Sequence, residues 1–193
     1  MFLDDGKGRG YKSQVDKNLR MHVKAFSVNE AHAVSADELN GYSFLSSKAI
    51  AASEIKLLLI KNTHASKVIV INRIELETIG AAAANASAFW TVYTGGDYAS
   101  GGTAVTPVNM HVGASPTATG SFYDATASTI VTSGTLSTIH KTYVANDRLT
   151  LDDSGMIVLP RNATLTISHT GSTAAGVAQA HVEFYVNETE VVG

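Results

Sequence analysis

Seven histidines are the first residues in this sequence whose type suggests chemistry. Two imidazoles readily hold one metal ion when they lie one, two or four residues apart on a strand or helix. No two of these histidines have that spacing, and the chain has no cysteine, which excludes thiol nucleophiles, disulfides and cysteine-based zinc sites. We therefore expect no metal site and interpret the histidines as hydrated residues of surfaces and turns. They are His22, His32, His64, His111, His140, His169 and His181.

The run Asp152-Asp153-Ser154-Gly155 combines acidic residues with glycine, as calcium-binding loops do. It lacks the alternating acidic positions and the distal glutamate of an EF-hand. A tight turn before the strand that contains Met156 is the simpler interpretation, and we predict that turn.

Signatures of nucleophilic and phosphate-binding sites are missing from the sequence. The G-x-S-x-G elbow does not occur, and residues 6–10 alternate glycine with cations without a preceding strand or a following helix. Glu75, Glu77 and Glu183 fall on alternating strand positions, which we interpret as solvated faces. A carboxylate pair for glycosidic chemistry stays an alternative, because a distance in space cannot be read from a sequence. We expect no catalytic residue, no enzymatic activity and no cofactor.

Three aromatic residues, Trp90, Tyr93 and Tyr98, lie around the segment Gly95-Gly96-Asp97, which is a strong turn signal. Exposed together, their rings would form a platform on which sugars stack. This is the basis of an alternative function as a carbohydrate-binding module. A lone tryptophan in a sandwich more commonly fills the core, and we expect Trp90 to do so.

Alternation of apolar and polar residues predicts strands along most of the chain. The predicted strands cover residues 19–26, 42–45, 54–61, 67–77, 89–93, 103–112, 128–132, 139–144, 155–160, 164–169 and 178–186. The spacing of 54–61 and 67–77 fits a long hairpin or a crossover between sheets. Residues 27–41 tolerate a short helix or a loop. Many short strands without long helices predict an all-β fold, an antiparallel β-sandwich over residues 19–193.

Residues 1–18 have no apolar period and are predicted to form an extended N-terminal arm. Such a segment cannot bury enough surface to order alone, so it would order on a partner. Its cations outnumber its acidic residues, which favours an acidic or carbonyl-rich docking groove on that partner. The candidate partner-binding residues are Lys7, Arg9, Tyr11, Lys12, Lys17 and Arg20.

Composition limits the remaining classes of partner. The 193 residues are 45% hydrophobic and 16% charged, a balance typical of a folded chain, with a formal net charge of −3. That charge gives no general attraction to nucleic acid or to an anionic membrane. We find no signal peptide and no apolar run of the ~20 residues that a membrane span needs. We expect synthesis in the cytoplasm, with no nucleic-acid and no membrane partner.

Four runs resemble virion structural proteins of tailed bacteriophages. They are VDKNLRMHV at residues 15–23, IKLLLIKN at 55–62, VIVINRI at 68–74 and IVLPRNATLTI at 157–167. The last run is similar to a strand-turn-strand unit of viral jelly-roll domains. The resemblance implies a jelly-roll-like sandwich that acts as a capsid decoration, or cement, protein.

The same resemblance implies the partners and the location. Such a protein would bind the major capsid protein or other virion subunits through its arm and a sheet surface. It would be a homo-oligomer, with a trimer favoured, made in the host cytoplasm and located in the virion. A component of the tail, baseplate or a fibre is the alternative within the virion.

Overall fold

A computed structural model describes residues 39–80, 88–143, 148–171 and 174–188. These ranges contain eleven β-strands and no helix. The strands are β1 (Gly41–Ala49), β2 (Glu54–Lys61), β3 (Lys67–Ile79), β4 (Phe89–Ser100), β5 (Thr103–Ala104), β6 (Val108–Asn109), β7 (Ser121–Asp124), β8 (Val131–Tyr143), β9 (Arg148–Leu159), β10 (Thr164–Thr170) and β11 (Val177–Glu188).

The strands form two packed sheets in which all pairings are antiparallel. Sheet one has the order β6-β1-β11-β3-β9, and sheet two has the order β5-β7-β2-β10-β4-β8. Without the short strands β5, β6 and β7, sheet one has the order β1-β11-β3-β9 and sheet two has the order β2-β10-β4-β8, which is the strand order of a jelly roll. The predicted antiparallel sandwich is therefore confirmed. We predicted either a hairpin or a crossover between sheets for β2 and β3. The connection is a crossover, because the two strands belong to different sheets.

One continuous core fills the space between the sheets. In β11, alternate residues Ala180, Val182 and Phe184 are buried against β3 residues such as Ile74 and Leu76. Because side chains alternate across a strand, burying these positions forces their neighbours onto the outer face of sheet one. The apolar period thus positions four charged residues of these strands outward, namely Arg73, Glu75 and Glu77 of β3 and Glu183 of β11.

Two predicted turns lie inside strands. Gly95-Gly96-Asp97 belongs to β4, and the run Asp152-Asp153-Ser154-Gly155 belongs to β9. At the first segment the register of β4 with β8 shifts, and at the second the register of β9 with β3 shifts. Each segment is therefore an irregularity within a strand, of the kind that β-bulges produce, and not a turn. Gly95 and Gly96 have φ of 82° and 68°, a conformation that glycine adopts without strain. Pairing of β4 with β8 and of β9 with β3 on both sides of these segments keeps each of them within one strand, so the two predicted turns are wrong.

Other predicted boundaries are also wrong. The strand predicted over 103–112 is reduced to β5 and β6, which are two residues each. The strands predicted over 128–132 and 139–144 join into β8, because β4 pairs with the whole of it through three register shifts. The predicted arm at residues 1–18 and the predicted strand at 19–26 lie outside the described residues. So does the predicted helix or loop up to residue 38, while Gly41 begins β1.

Candidate functional site

The outer face of sheet one carries polar side chains in rows that cross four strands, and we call it the charged face. The pairing register places opposite residues of β1, β11, β3 and β9 in each row. The rows are Ser43, Glu183, Arg73 and Asp152; Leu45, His181, Glu75 and Thr150; and Ser47, Gln179, Glu77 and Arg148. Opposite and diagonal residues on one face of a sheet lie within reach of long side chains. The rows therefore bring together residues distant in sequence.

Glu75 is the centre of the charged face. Its Oε2 accepts a hydrogen bond from Arg148 Nη2 at 2.5 Å, and its Oε1 lies 3.5 Å from Arg73 Nη1. Its Oε2 also lies 3.3 Å from His181 Nδ1. The hydrogen bond from Arg148 is the main reason that the pKa of the Glu75 carboxyl is lowered. With 13% of its side chain exposed, Glu75 is a half-buried anion held by cations from two strands.

A second ion pair extends the network to β11. Arg73 Nη2 donates to Glu183 Oε1 at 2.6 Å, and this bond raises the pKa of the Arg73 guanidinium. Glu77, on the same face of the same strand, makes no hydrogen bond or ion pair with any other residue that the structure describes. The charged face thus contains carboxylates in ion pairs and one, that of Glu77, that is partly exposed and outside the described ion pairs.

Ser43, His181 and Glu75 have the connectivity of a serine-histidine-carboxylate relay. Ser43 Oγ and His181 Nε2 are 2.7 Å apart, and His181 Nδ1 faces Glu75. These residues line a shallow depression of about 290 Å³. Hydrolysis by such a relay also needs donors aimed at a developing oxyanion. Backbone amides within the described sheet point along it toward neighbouring strands, and Arg148 and Arg73 are engaged by carboxylates. The arrangement can share a proton but has no oxyanion hole among the described residues.

Sequence reasoning missed this cluster. Its members come from β1, β3 and β11, and no local motif links them. Glu75 and Glu183 were predicted to lie on solvated faces, and both do lie on the outer face of sheet one. The sequence contains one signal for the cluster. Each member lies in a strand where apolar and polar residues alternate, and each occupies one of the polar positions. The strand register, which the sequence does not reveal, decides that they meet.

The three aromatic residues do not form a sugar platform. Trp90 is 1% exposed and packs edge-on against His169, with ring centroids 4.8 Å apart, as expected for a core tryptophan. Tyr93 donates a hydrogen bond to Glu54, and Tyr98 stacks on Tyr123 at 3.7 Å. The pairing of β4 with β8 shifts register between Val92 and Tyr93, that is, between the tryptophan and the two tyrosines. The rings therefore occupy three separate environments.

The histidines are also distributed differently from the prediction. His169 is fully buried in β10, where burial lowers its pKa to about 4, and His181 belongs to the relay. The interpretation of all seven as hydrated surface or turn residues is wrong for these two. His22 and His32 lie outside the described residues. Among the residues that are described, no three His, Cys, Asp or Glu side chains are grouped so as to hold a metal ion.

The predicted partner-binding residues lie outside the described ranges as well. They are Lys7, Arg9, Tyr11, Lys12, Lys17 and Arg20. In the part of the chain that the structure describes, no helix has the length and hydrophobicity of a membrane span. No family model matches the chain, and no curated protein and no solved structure matches it.

Proposed function

We propose that this chain is a structural protein of a tailed-bacteriophage virion. Its role is that of a capsid decoration protein, without enzymatic activity, that stabilises the shell by binding the major capsid protein. The observation that carries the proposal is the jelly-roll-like strand order of the sandwich, which agrees with the resemblance of four sequence runs to virion proteins. Jelly rolls are common among viral capsid domains, so the strand order supports the proposal beside the sequence resemblance.

The body has the properties of a rigid contact module. Its core is continuous between the two sheets, and β3 is paired along its length with β11 on one side and β9 on the other. A surface on such a scaffold changes little when it binds, so less conformational entropy is lost on association. The charged face is a surface of this kind.

The charge of that face supports a polar contact. Its rows hold four carboxylates, Glu75, Glu77, Asp152 and Glu183, against two guanidinium groups, Arg73 and Arg148. The face is therefore net negative and complements a basic surface on the capsid protein. Complementary charge sets the orientation and rate of docking more than its strength. In this proposal the arm supplies further contacts, and repetition over the shell converts individually weak contacts into stable attachment.

Deletion of residues 1–18 tests the proposal. Residues 1–18 have no apolar period with which to pack on the core, so the body should keep its melting temperature while attachment to capsids that lack this protein falls by about tenfold or more. Co-sedimentation with such capsids measures attachment, and circular dichroism measures folding.

A matched pair of variants tests whether the charge of the arm, and not only its presence, contributes to attachment. Lys7→Ser with Arg9→Ser should weaken attachment, and more so at low salt, where charge contacts are least screened. Arg161→Ser removes an exposed cation from the β9–β10 connection of the body and should leave attachment unchanged. Full attachment of the arm-deleted protein would overturn the role of the arm.

A further inference from the structure

The outer face of sheet one has an apolar end next to the rows of the charged face. Tyr185 on β11 and Val70 on β3 lie opposite each other there, and Val158 on β9 lies opposite Val70. Tyr185 and Val70 form a cluster with Val68 that is separate from the core between the sheets. Val158 continues the row to the edge of the sheet. We call Val68, Val70, Val158 and Tyr185 the apolar strip.

Two residues of the apolar strip are buried although they point away from the core. Tyr185 is 5% exposed and Val70 is 6% exposed, whereas Leu45, an apolar residue on the same face, is 57% exposed. The two sheets pack through their inner faces, so no described strand lies over the strip. One face of such a sheet is normally in contact with water, and low exposure there is typical of a covered surface. This burial is found in a single copy, which favours a cover supplied by the same chain.

The described part of the chain begins next to this strip. Gly41, the first residue of β1, pairs with Tyr185 and therefore belongs to the same row. Neighbouring strands are about 4.8 Å apart, so the row from Gly41 to Val158 is about 14 Å long. Residues 27–38, which precede the first described residue, Leu39, span at most about 40 Å when extended. The segment before this linker can therefore reach every residue of the strip.

Residues 19–26 have the pattern that such a cover needs. They alternate an apolar series, including Met21 and Val23, with a polar series, including Arg20 and Lys24, and they lie outside the described ranges. An isolated strand of this kind is unstable in water and needs an apolar surface on which to pack. The polar series is cationic, and the rows of the charged face beside the strip are net negative. Opposite charge therefore favours this segment as the cover.

We propose that residues 19–26 lie across the apolar strip of their own chain. The apolar series packs on Tyr185 and Val70, and the polar series faces solvent. The twelve-residue tether keeps the segment at a high effective concentration near the strip, which favours its own body over a second copy. Docking fixes the point at which residues 1–18 leave the body, at the border of the charged face. The inference goes beyond the proposed function and does not depend on it.

Limited proteolysis of the full-length protein tests the inference, because trypsin sites lie in both N-terminal segments. Lys12 belongs to residues 1–18, and Lys24 belongs to the segment proposed to dock. Cleavage of a docked segment requires local opening, so we expect cleavage after Lys24 to be about tenfold slower than cleavage after Lys12. Mass spectrometry of a timed digest measures both rates. Equal rates at the two sites would overturn the inference.

Matched variants connect this protection to the apolar strip. Val158 is 46% exposed, and Val158→Asp places a charge in the proposed contact. It should abolish the slow cleavage after Lys24, whereas Thr138→Asp, at an exposed position of β8 in the other sheet, should preserve it. Met21→Asp leaves every described residue of the body unchanged and should also abolish the slow cleavage. Circular dichroism verifies the fold, and slow cleavage that survives Met21→Asp would contradict the docking.

Cysteine cross-linking identifies the body on which the segment lies, without background from native cysteine. Met21→Cys is combined with Val158→Cys in one full-length chain and treated with a short bismaleimide at low protein concentration. We expect an intrachain product at about tenfold the yield of a control chain with Met21→Cys and Thr138→Cys. Equal yields, or products that join only two copies, would overturn the inference. Intrachain cross-linking in a protein that does not attach to capsids would contradict the proposed function and leave this inference intact.

Discussion

The interior around His169 and the charged face around His181 show the same residue type in opposite environments. His169 is fully buried on β10, its ring packs against Trp90, and neither ring nitrogen has a hydrogen-bond partner among the residues that the structure describes. His181 on β11 contacts Ser43 through one ring nitrogen and Glu75 through the other. One histidine behaves as an apolar filler and the other as part of an ionic network.

The difference shows that strand phase, rather than residue type, assigns chemistry in this molecule. A side chain on the inner phase enters the core whatever its polarity, and a side chain on the outer phase meets the polar residues of neighbouring strands. The interior therefore controls stability, and the outer face is available to partners. This comparison leads to four predictions.

The largest effect is expected from Trp90→Ala. Removing a large ring from a packed core costs about 3–5 kcal/mol in the free energy of unfolding. Tyr98→Ala, which alters a stacked pair outside the main core, should cost less. Urea denaturation followed by circular dichroism measures both. A loss below about 1 kcal/mol for Trp90→Ala would contradict its assignment to the core.

The next effect is acid destabilisation through His169. Because burial lowers the folded-state pKa of His169 to about 4 from its ordinary value of 6.5, the unfolded chain binds more protons between these values, and stability falls as the pH drops through that window. The loss is on the order of 3 kcal/mol. His169→Phe should remove this part of the pH dependence, as measured by denaturation at several pH values. Identical pH profiles for the two proteins would refute the assignment.

A smaller effect is expected from Glu75→Gln on the charged face. Loss of its ion pairs should cost about 1 kcal/mol at neutral pH. The pKa of Glu75 is lowered, so its contribution is present above the unfolded-state pKa and disappears as the pH falls through the folded-state value. Glu77→Gln is the matched control, since Glu77 lies on the same face of β3 and has no hydrogen bond or ion pair with another described residue. Thermal unfolding at pH 7 compares them, and equal losses would argue against the network.

The smallest effect is expected from Ser43→Ala. It removes one hydrogen bond on the outer face, and stability should change by about 0.5 kcal/mol or less. Because the relay lacks an oxyanion hole among the described residues, hydrolysis of an activated ester such as p-nitrophenyl acetate should equal the buffer rate for wild type and variant alike. Turnover by wild type that Ser43→Ala abolishes would identify a catalytic serine and contradict a purely structural role.

The alternation of residues predicted the fold better than it predicted the site. The buried positions of β3 and β11, such as Ile74 and Val182, can be predicted from the alternation of apolar and polar residues, because one face of each strand packs in the core. The turn predicted at Gly95 and Gly96 is wrong, because glycine with positive φ occurs in β-bulges as well as in turns. The contact of Ser43 with His181 depends on which strands pair and in which register, and no local pattern contains that information.

The measurement that tests the central claim most directly is the location and copy number of this chain in purified particles, by cryo-electron microscopy and quantitative mass spectrometry. The account predicts density outside the shell at symmetry-equivalent positions, in a number that scales with the major capsid protein. A few copies confined to the tail would contradict the decoration role, and absence from the particle would contradict a virion role altogether.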